Sequence, residues 1–268
     1  MAVGAQYRFE HRSAERLFHV SKAILLERMS KEPHVSLSTA YHNITVQTPR
    51  PHAFHPPGQG LVLPPPESAS GISAWRQIES IRTILTLMGY ASWEVKQEIV
   101  QEAFALQGML VQCLRDFGLT ENVTVTPKHS PPLWHEWAEE ESIRRTRFIA
   151  FCFVHVHSIV YNVYPVLRSN EVHLRLPCST KEWKAASASD WEVAQRDTGT
   201  QQLFFQDALA LLLQQSRTNV VLNPIPAPLG NYILLHGLLQ RIHLVSELSL
   251  PTRDQSVSLP TEELNRLE

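Results

Sequence analysis

The sequence predicts an all-α protein: a helical bundle of 268 residues that carries a disordered, proline-rich insertion. Three observations lead there. Apolar residues recur at three- and four-residue intervals through most of the chain, whereas nothing alternates at period two over several segments. Prolines gather into a few stretches between these runs, where one helix stops and the next can start.

The first element is carried by Leu17, Val20, Ile24 and Leu25, a stripe within an N-terminal helical segment over residues 1–33. Its bases (Arg8, Arg12, Arg16, Lys22, Arg28, Lys31) alternate with Glu10, Glu15, Glu27 and Glu32, the pattern of a solvated helix face and not of a phosphate track. Residues 34–71 follow as a linker or insertion. Within it, "QTPRPHAFHPPGQGLVLPPPESAS" has too much proline for a helix or central strand, and too few apolar groups to offset the entropy of ordering.

The main helical region is assigned to residues 72–250, with 251–268 as a tail. Ile78, Ile81, Leu85 and Met88 make one stripe; Val95, Ile99, Ala103, Leu106, Leu110, Cys113 and Phe117 make a longer one. The motif "EWAEEESIRRTR" starts another helix near His135, and its acids suit the positive end of the helix dipole. Glu140 can reach Arg144, and Glu141 can reach Arg145, at i to i+4. The uncharged run "FIAFCFVHVHSIVYNVYPVL", residues 148–167, is long enough to cross a bilayer. His155, His157, Ser158, Asn162 and Pro165 interrupt it with groups that lipid cannot satisfy, so it is assigned as a buried helix of a bundle, with no membrane involved. "QLFFQDALALLLQQ" and "NYILLHGLLQRIHLVSEL" supply two further helices, the last with Leu234, Leu238, Ile242 and Val245 on one side.

Composition excludes several functions. Twenty-four Lys and Arg against 26 Asp and Glu leave a formal charge of -2, so no global field favours nucleic acid or an anionic membrane. Cys113, Cys152 and Cys178 are odd in number and far apart, which fits a reducing compartment, and no Cys-x-x-Cys pair encodes a zinc finger. The N-terminus lacks the apolar centre of a signal peptide, so the sequons at Asn43 and Asn122 are read as chance matches.

The run "WHEWAEEESIRRTRFIAFCFVHVHSI", then "LRLPCSTKEWKAASASDW", then "PLGNYILLHGLLQRI" resembles the fungal-specific transcription factor domain, the middle homology region of fungal zinc-finger transcription regulators, in the flavour of members with a Cys2His2 DNA-binding part. The order of the features carries the likeness: Trp134 and Trp137, Arg144 and Arg145, the buried helix, Pro177-Cys178, Trp183, Trp191, and His236-Gly237. The resemblance implies a helical regulatory domain without catalytic residues, located in the nucleus. It also implies partners among other regulators or the transcription machinery. A zinc-binding module would lie upstream and is not within these residues, so zinc is expected only there, no cofactor is expected in this chain, and direct DNA binding by this chain is not expected. The sequence therefore reads as a fragment or an incomplete gene product, and the 47–70 stretch as an inserted loop or a retained non-coding segment.

The residues themselves favour packing over reactivity. A catalytic cysteine needs a lowered thiol pKa, and near Cys178 only His173 and Lys181 are candidates. Pro177 instead biases Leu176 to an extended shape, and Ser179 or Thr180 can cap a short helix carrying Glu182 and Trp183. Trp183 and Trp191 suit anchors that pin this irregular segment to the helical body. His52 and His55 lie in the proline-rich stretch, and His155 and His157, two apart on a helix, point to different faces, so neither pair is read as a metal site. His236 and His243 read as core or boundary histidines. Hydrolase, metalloprotease, phosphate-loop and dinucleotide signatures are absent, and no Asp-Asp pair offers a cyclase-type metal motif. The competing class is a helical small-molecule binder or enzyme with an inter-helix pocket converging on Cys178.

Overall fold

The computed structural model describes residues 1–31, 67–121, 133–199, 201–214 and 222–249, with backbone alone for residues 67–76 and 248–249. The expectations for the proline-rich stretch up to residue 66, His52, His55, both sequons, most of "TPKHSPPLW" and the tail lie outside the described residues. Those described are all-α: helices linked by loops, with two isolated backbone bridges and no strand. The chain divides into two compact units, Met1–Gly118 and Leu119–Glu268.

The first unit contains α1 (Ala2–Tyr7), α2 (His11–Lys31), α3 (Glu67–Ala91) and α4 (Gln97–Phe117). Helix α3 starts at Glu67, inside the assigned linker, because "ESAS" has helix-compatible residues directly after the last proline. Phe18, Ile78, Ile81, Ile84, Met88, Leu106 and Leu110 fill the interior. Phe18 and Tyr90 stack with ring centroids 5.2 Å apart, which fixes α2 on α3.

The stripes differ from the expected ones by single steps. In α2 the buried positions are Ala14, Phe18 and Leu25, and Val20 and Ile24 are exposed. Only Leu25 of the expected set is fully buried, because the bulkiest ring, Phe18, sets the rotation of the helix. In α3 Ile84 is buried in place of Leu85, and in α4 Leu114 is buried while Cys113 is half-buried. Val95 precedes α4 and is 98% exposed. These shifts follow from wide apolar faces, on which neighbouring positions compete for the centre.

The second unit contains α5 (Trp134–Val160), α6 (Thr180–Trp183), α7 (Ala188–Thr198), α8 (Phe205–Gln214) and α9 (Pro228–Ser249), with a short 3-10 turn at Ser169–Glu171. Phe205 meets Phe148 and Phe151 edge-on, with centroids 5.8 and 5.9 Å apart, and joins α8 to α5. Pro228 is the first residue of α9, where its missing N–H costs nothing.

The uncharged run 148–167 is not one helix. Helix α5 ends at Val160; Asn162 takes φ 50° and Pro165 follows, so the chain turns away. Within α5, Phe148, Ala150, Phe151, Cys152, Val154, His155, His157 and Ser158 are buried, while Ile149, Ile159 and Val160 are exposed, so most of the helix surface in this stretch is interior. Among the described residues no helix is long and apolar enough to cross a membrane. In α9, Ile233, Leu234, His236, Gly237 and Gln240 are buried, whereas Ile242 and Val245 of the expected stripe are exposed.

Residues 172–178 form an extended strap. His173 donates its N–H to Leu119 O at 2.7 Å, Leu176 to Leu203 O at 2.9 Å, and Phe205 to Leu174 O at 2.9 Å. Val172, Leu174 and Leu176 are buried while His173 is exposed, the period-two pattern of a pleated segment. Two glutamines clamp the chain just ahead of the strap. Gln240 accepts the Ser169 N–H at 2.8 Å and donates to Leu167 O at 3.0 Å, and Gln206 donates to Ser169 O and Val172 O.

Candidate functional site: a buried acid-arginine joint

The strap ends in Pro177-Cys178, which docks on the charged first half of α5. Glu141, 0% exposed in its side chain, lies at the centre. It pairs with Arg144 three residues on and with Arg145 Nε, four residues on, at 2.8 Å. The same carboxylate accepts the backbone N–H of Cys178 at 2.9 Å. Arg144 extends the joint to Glu121 at 2.6 Å, and Arg145 Nη2 lies 3.4 Å from Cys178 O and 3.6 Å from its Sγ.

A buried carboxylate is tolerated only when paired and hydrogen-bonded, and here three donors converge on one side chain. Burial works against the charge of Arg144, but Glu121 and Glu141 outweigh it and raise its pKa. The thiol of Cys178 moves the opposite way to a nucleophile: burial and the charge of Glu141 push its pKa up, and Arg145 offsets this only in part. Among the described residues no histidine hydrogen-bonds Cys178.

Immediately beyond the thiol, Ser179 caps α6: its Oγ accepts the Glu182 N–H at 3.2 Å while Glu182 accepts the Ser179 N–H at 2.9 Å. This capping box turns the chain so that Trp183 lies under Arg145, whose guanidinium carbon is 4.1 Å from the ring centroid. The two tryptophans expected as anchors differ. Trp191 is 5% exposed and packs on Trp137 with centroids 5.1 Å apart, whereas Trp183 is 41% exposed and serves as a platform for Arg145. Trp134 is half-buried, with its ring against His135.

The other end of α5 meets α9 through histidines. His155 Nδ1 and His236 Nδ1 are 2.8 Å apart, both rings are buried, and Tyr232 covers His236 edge-on at 4.5 Å. Such a contact needs one ring to donate and the other to accept, so at least the accepting ring is neutral, and burial lowers the pKa of both rings and favours the neutral form of each. Burial, with His236 and His243 nearby, lowers the His155 pKa to about 4. His157 takes another face, against Phe153 and Tyr161. Gly237 follows His236 where α9 crosses α8: a Cβ there would stand 2.9 Å from Phe205 Cζ and 3.3 Å from Leu209 Cδ1. Among the described residues no group of three or more His, Cys, Asp or Glu side chains is placed to hold a metal ion.

The motif residues thus fall into three places. Arg144, Arg145, Pro177, Cys178 and Trp183 meet at the joint, Trp137 and Trp191 stack together, and His236 and Gly237 lie on the α5- and α8-facing sides of α9. Sequence reasoning paired Glu141 with Arg145 but missed its bond to Cys178, for which i to i+4 spacing holds no signal. It also missed the strap, although "VHLRL" alternates, and Gln240, although this residue follows His236 by one helical turn on a buried face.

Ion pairs, ring stacks and close helix crossings make this an all-helical domain whose polar interior joins distant segments of its own chain. The chain belongs to the family described as the fungal specific transcription factor domain, whose family model matches residues 1–265. It is similar to zinc finger protein klf1 of Schizosaccharomyces pombe (strain 972 / ATCC 24843), with 26% identity over 153 residues, 54% of this chain and 18% of that protein. It is also similar to zinc finger protein zas1 of the same organism, with 28% identity over 108 residues, 40% of this chain and 12% of that protein. The chain therefore spans less than a fifth of the length of these relatives. No solved structure matches it. A fungal transcription regulator domain is the class to which fold and family both lead.

Proposed function

We propose that the chain is the non-catalytic regulatory middle domain of a longer fungal transcription regulator that acts in the nucleus. It modulates transcription through contacts with other regulators or the transcription machinery. DNA contact and zinc belong to a separate module, as the printed names of the two relatives suggest for those proteins, and this chain holds no cofactor of its own. The observation that carries the reading is the family match over residues 1–265. The joint supports it, because its groups satisfy one another and the Cys178 thiol is shifted away from reactivity.

The test is to tether the chain to a heterologous DNA-binding module at a fungal reporter promoter. Output should differ from that of the module alone. The untethered chain should show no sequence preference in DNA-binding assays at physiological salt. Unchanged output from a folded fusion, or sequence-specific DNA binding by the chain itself, would overturn the reading.

A further inference from the structure

A cleft of about 150 Å³ opens within the second unit, between the loop after α5 and the middle of α9. Arg168 and Asn170 line it from the loop, and Arg241 and His243 from the helix, while Tyr164 and Leu244 give it apolar walls. No carboxylate is among the lining residues. Arg241 makes no hydrogen bond or ion pair among the described residues. Glu171 is 3.9 Å from Arg168 Nε, and this Arg168 side chain is 62% exposed, so the pair is too loose and too wet to hold the guanidinium.

The backbone on one side of the cleft is held in advance. Gln240 and Gln206 together bind Leu167 O, Ser169 N–H, Ser169 O and Val172 O, so the loop that bears Arg168 and Asn170 is fixed against α8 and α9. The lining thus offers one guanidinium from the loop and one from α9, together with an imidazole and an amide, the donor types that bind carboxylates and phosphates. The volume is that of a cavity that takes one six-membered ring, well below the usual range for larger ligands.

We propose that this cleft binds a small organic oxyanion, a carboxylate or a phosphate monoester, with Arg168 and Arg241 holding its charged end and Tyr164 and Leu244 covering its apolar end. The proposal stands apart from the transcriptional reading. Benzoate and phenyl phosphate, titrated separately by calorimetry at constant ionic strength, serve as probes of the two oxyanion classes. At least one should bind saturably at one site, and Arg168→Gln and Arg241→Gln should each weaken that binding about tenfold or more. Arg196→Gln, on α7, should leave it unchanged. Both arginines are exposed, so circular dichroism and melting should match the parent in each variant. The proposal is overturned if neither probe saturates, or if the Arg168 and Arg241 variants bind as the parent does.

Discussion

The carboxylate of Glu141 accepts the backbone N–H of Cys178 at 2.9 Å, a bond between residues 37 positions apart. It ties the strap to the first half of α5, where Arg144 and Arg145 both pair with the same carboxylate. Removing the acid leaves Arg145 and the Cys178 N–H without it, and leaves Arg144 with Glu121. Glu141→Ala is expected to cost about 3–5 kcal/mol in urea unfolding, the range for breaking a buried pair from one side. A Glu141/Arg145 double-mutant cycle should give a coupling of about 1 kcal/mol or more. Additive losses would show that the joint does not act as a unit.

The two tryptophans of the same segment should respond unequally. Trp191→Ala empties a buried site against Trp137 and should cost about 3–5 kcal/mol, whereas Trp183→Ala removes a half-open platform under Arg145 and should cost about 1 kcal/mol. Equal losses in thermal unfolding would contradict this division.

Thiol labelling tests the non-catalytic reading directly. Burial raises the Cys152 pKa to about 12, and burial with Glu141 raises that of Cys178. Neither should react with a thiol-disulfide reagent at neutral pH until the protein unfolds. Rapid labelling of Cys178 in the folded protein would restore the enzyme hypothesis.

The neutral His155–His236 contact makes stability depend on acid. With the folded His155 pKa at about 4 and the ordinary value at 6.5, the unfolded chain takes up a proton in this window that the folded chain refuses. The contribution is complete above pH 6.5, declines as pH falls towards 4, and levels off below. It amounts to at most about 3 kcal/mol. His236 faces the ring directly and His243 adds to the same field. In denaturant titrations at a series of pH values, His155→Gln should show a shallower loss between these limits than the parent; parallel curves would argue against the assignment.

At the α8–α9 crossing, Gly237→Ala should cost about 1–3 kcal/mol, since the added methyl would sit 2.9 Å from Phe205 Cζ. Phe205→Leu in the same chain should recover part of that loss by withdrawing the ring. A Gly237→Ala variant that melts with the parent would show that the helices can separate freely.

Local chemistry alone determined most helices, the Ser179 cap and the Glu141–Arg145 pair. All of these depend on groups within one or two helical turns, whose geometry the backbone fixes wherever the segment lies. Tertiary structure decided which residue of each wide apolar face turned inward, as with Phe18 over Val20 and Ile84 over Leu85. It also decided that α5 stops at Val160, that Trp191 is buried and Trp183 is not, and that Arg168 and Arg241 share a cleft. These outcomes depend on what packs or hydrogen-bonds against each side chain from tens of residues away. Spacing along the chain carries no information about such neighbours.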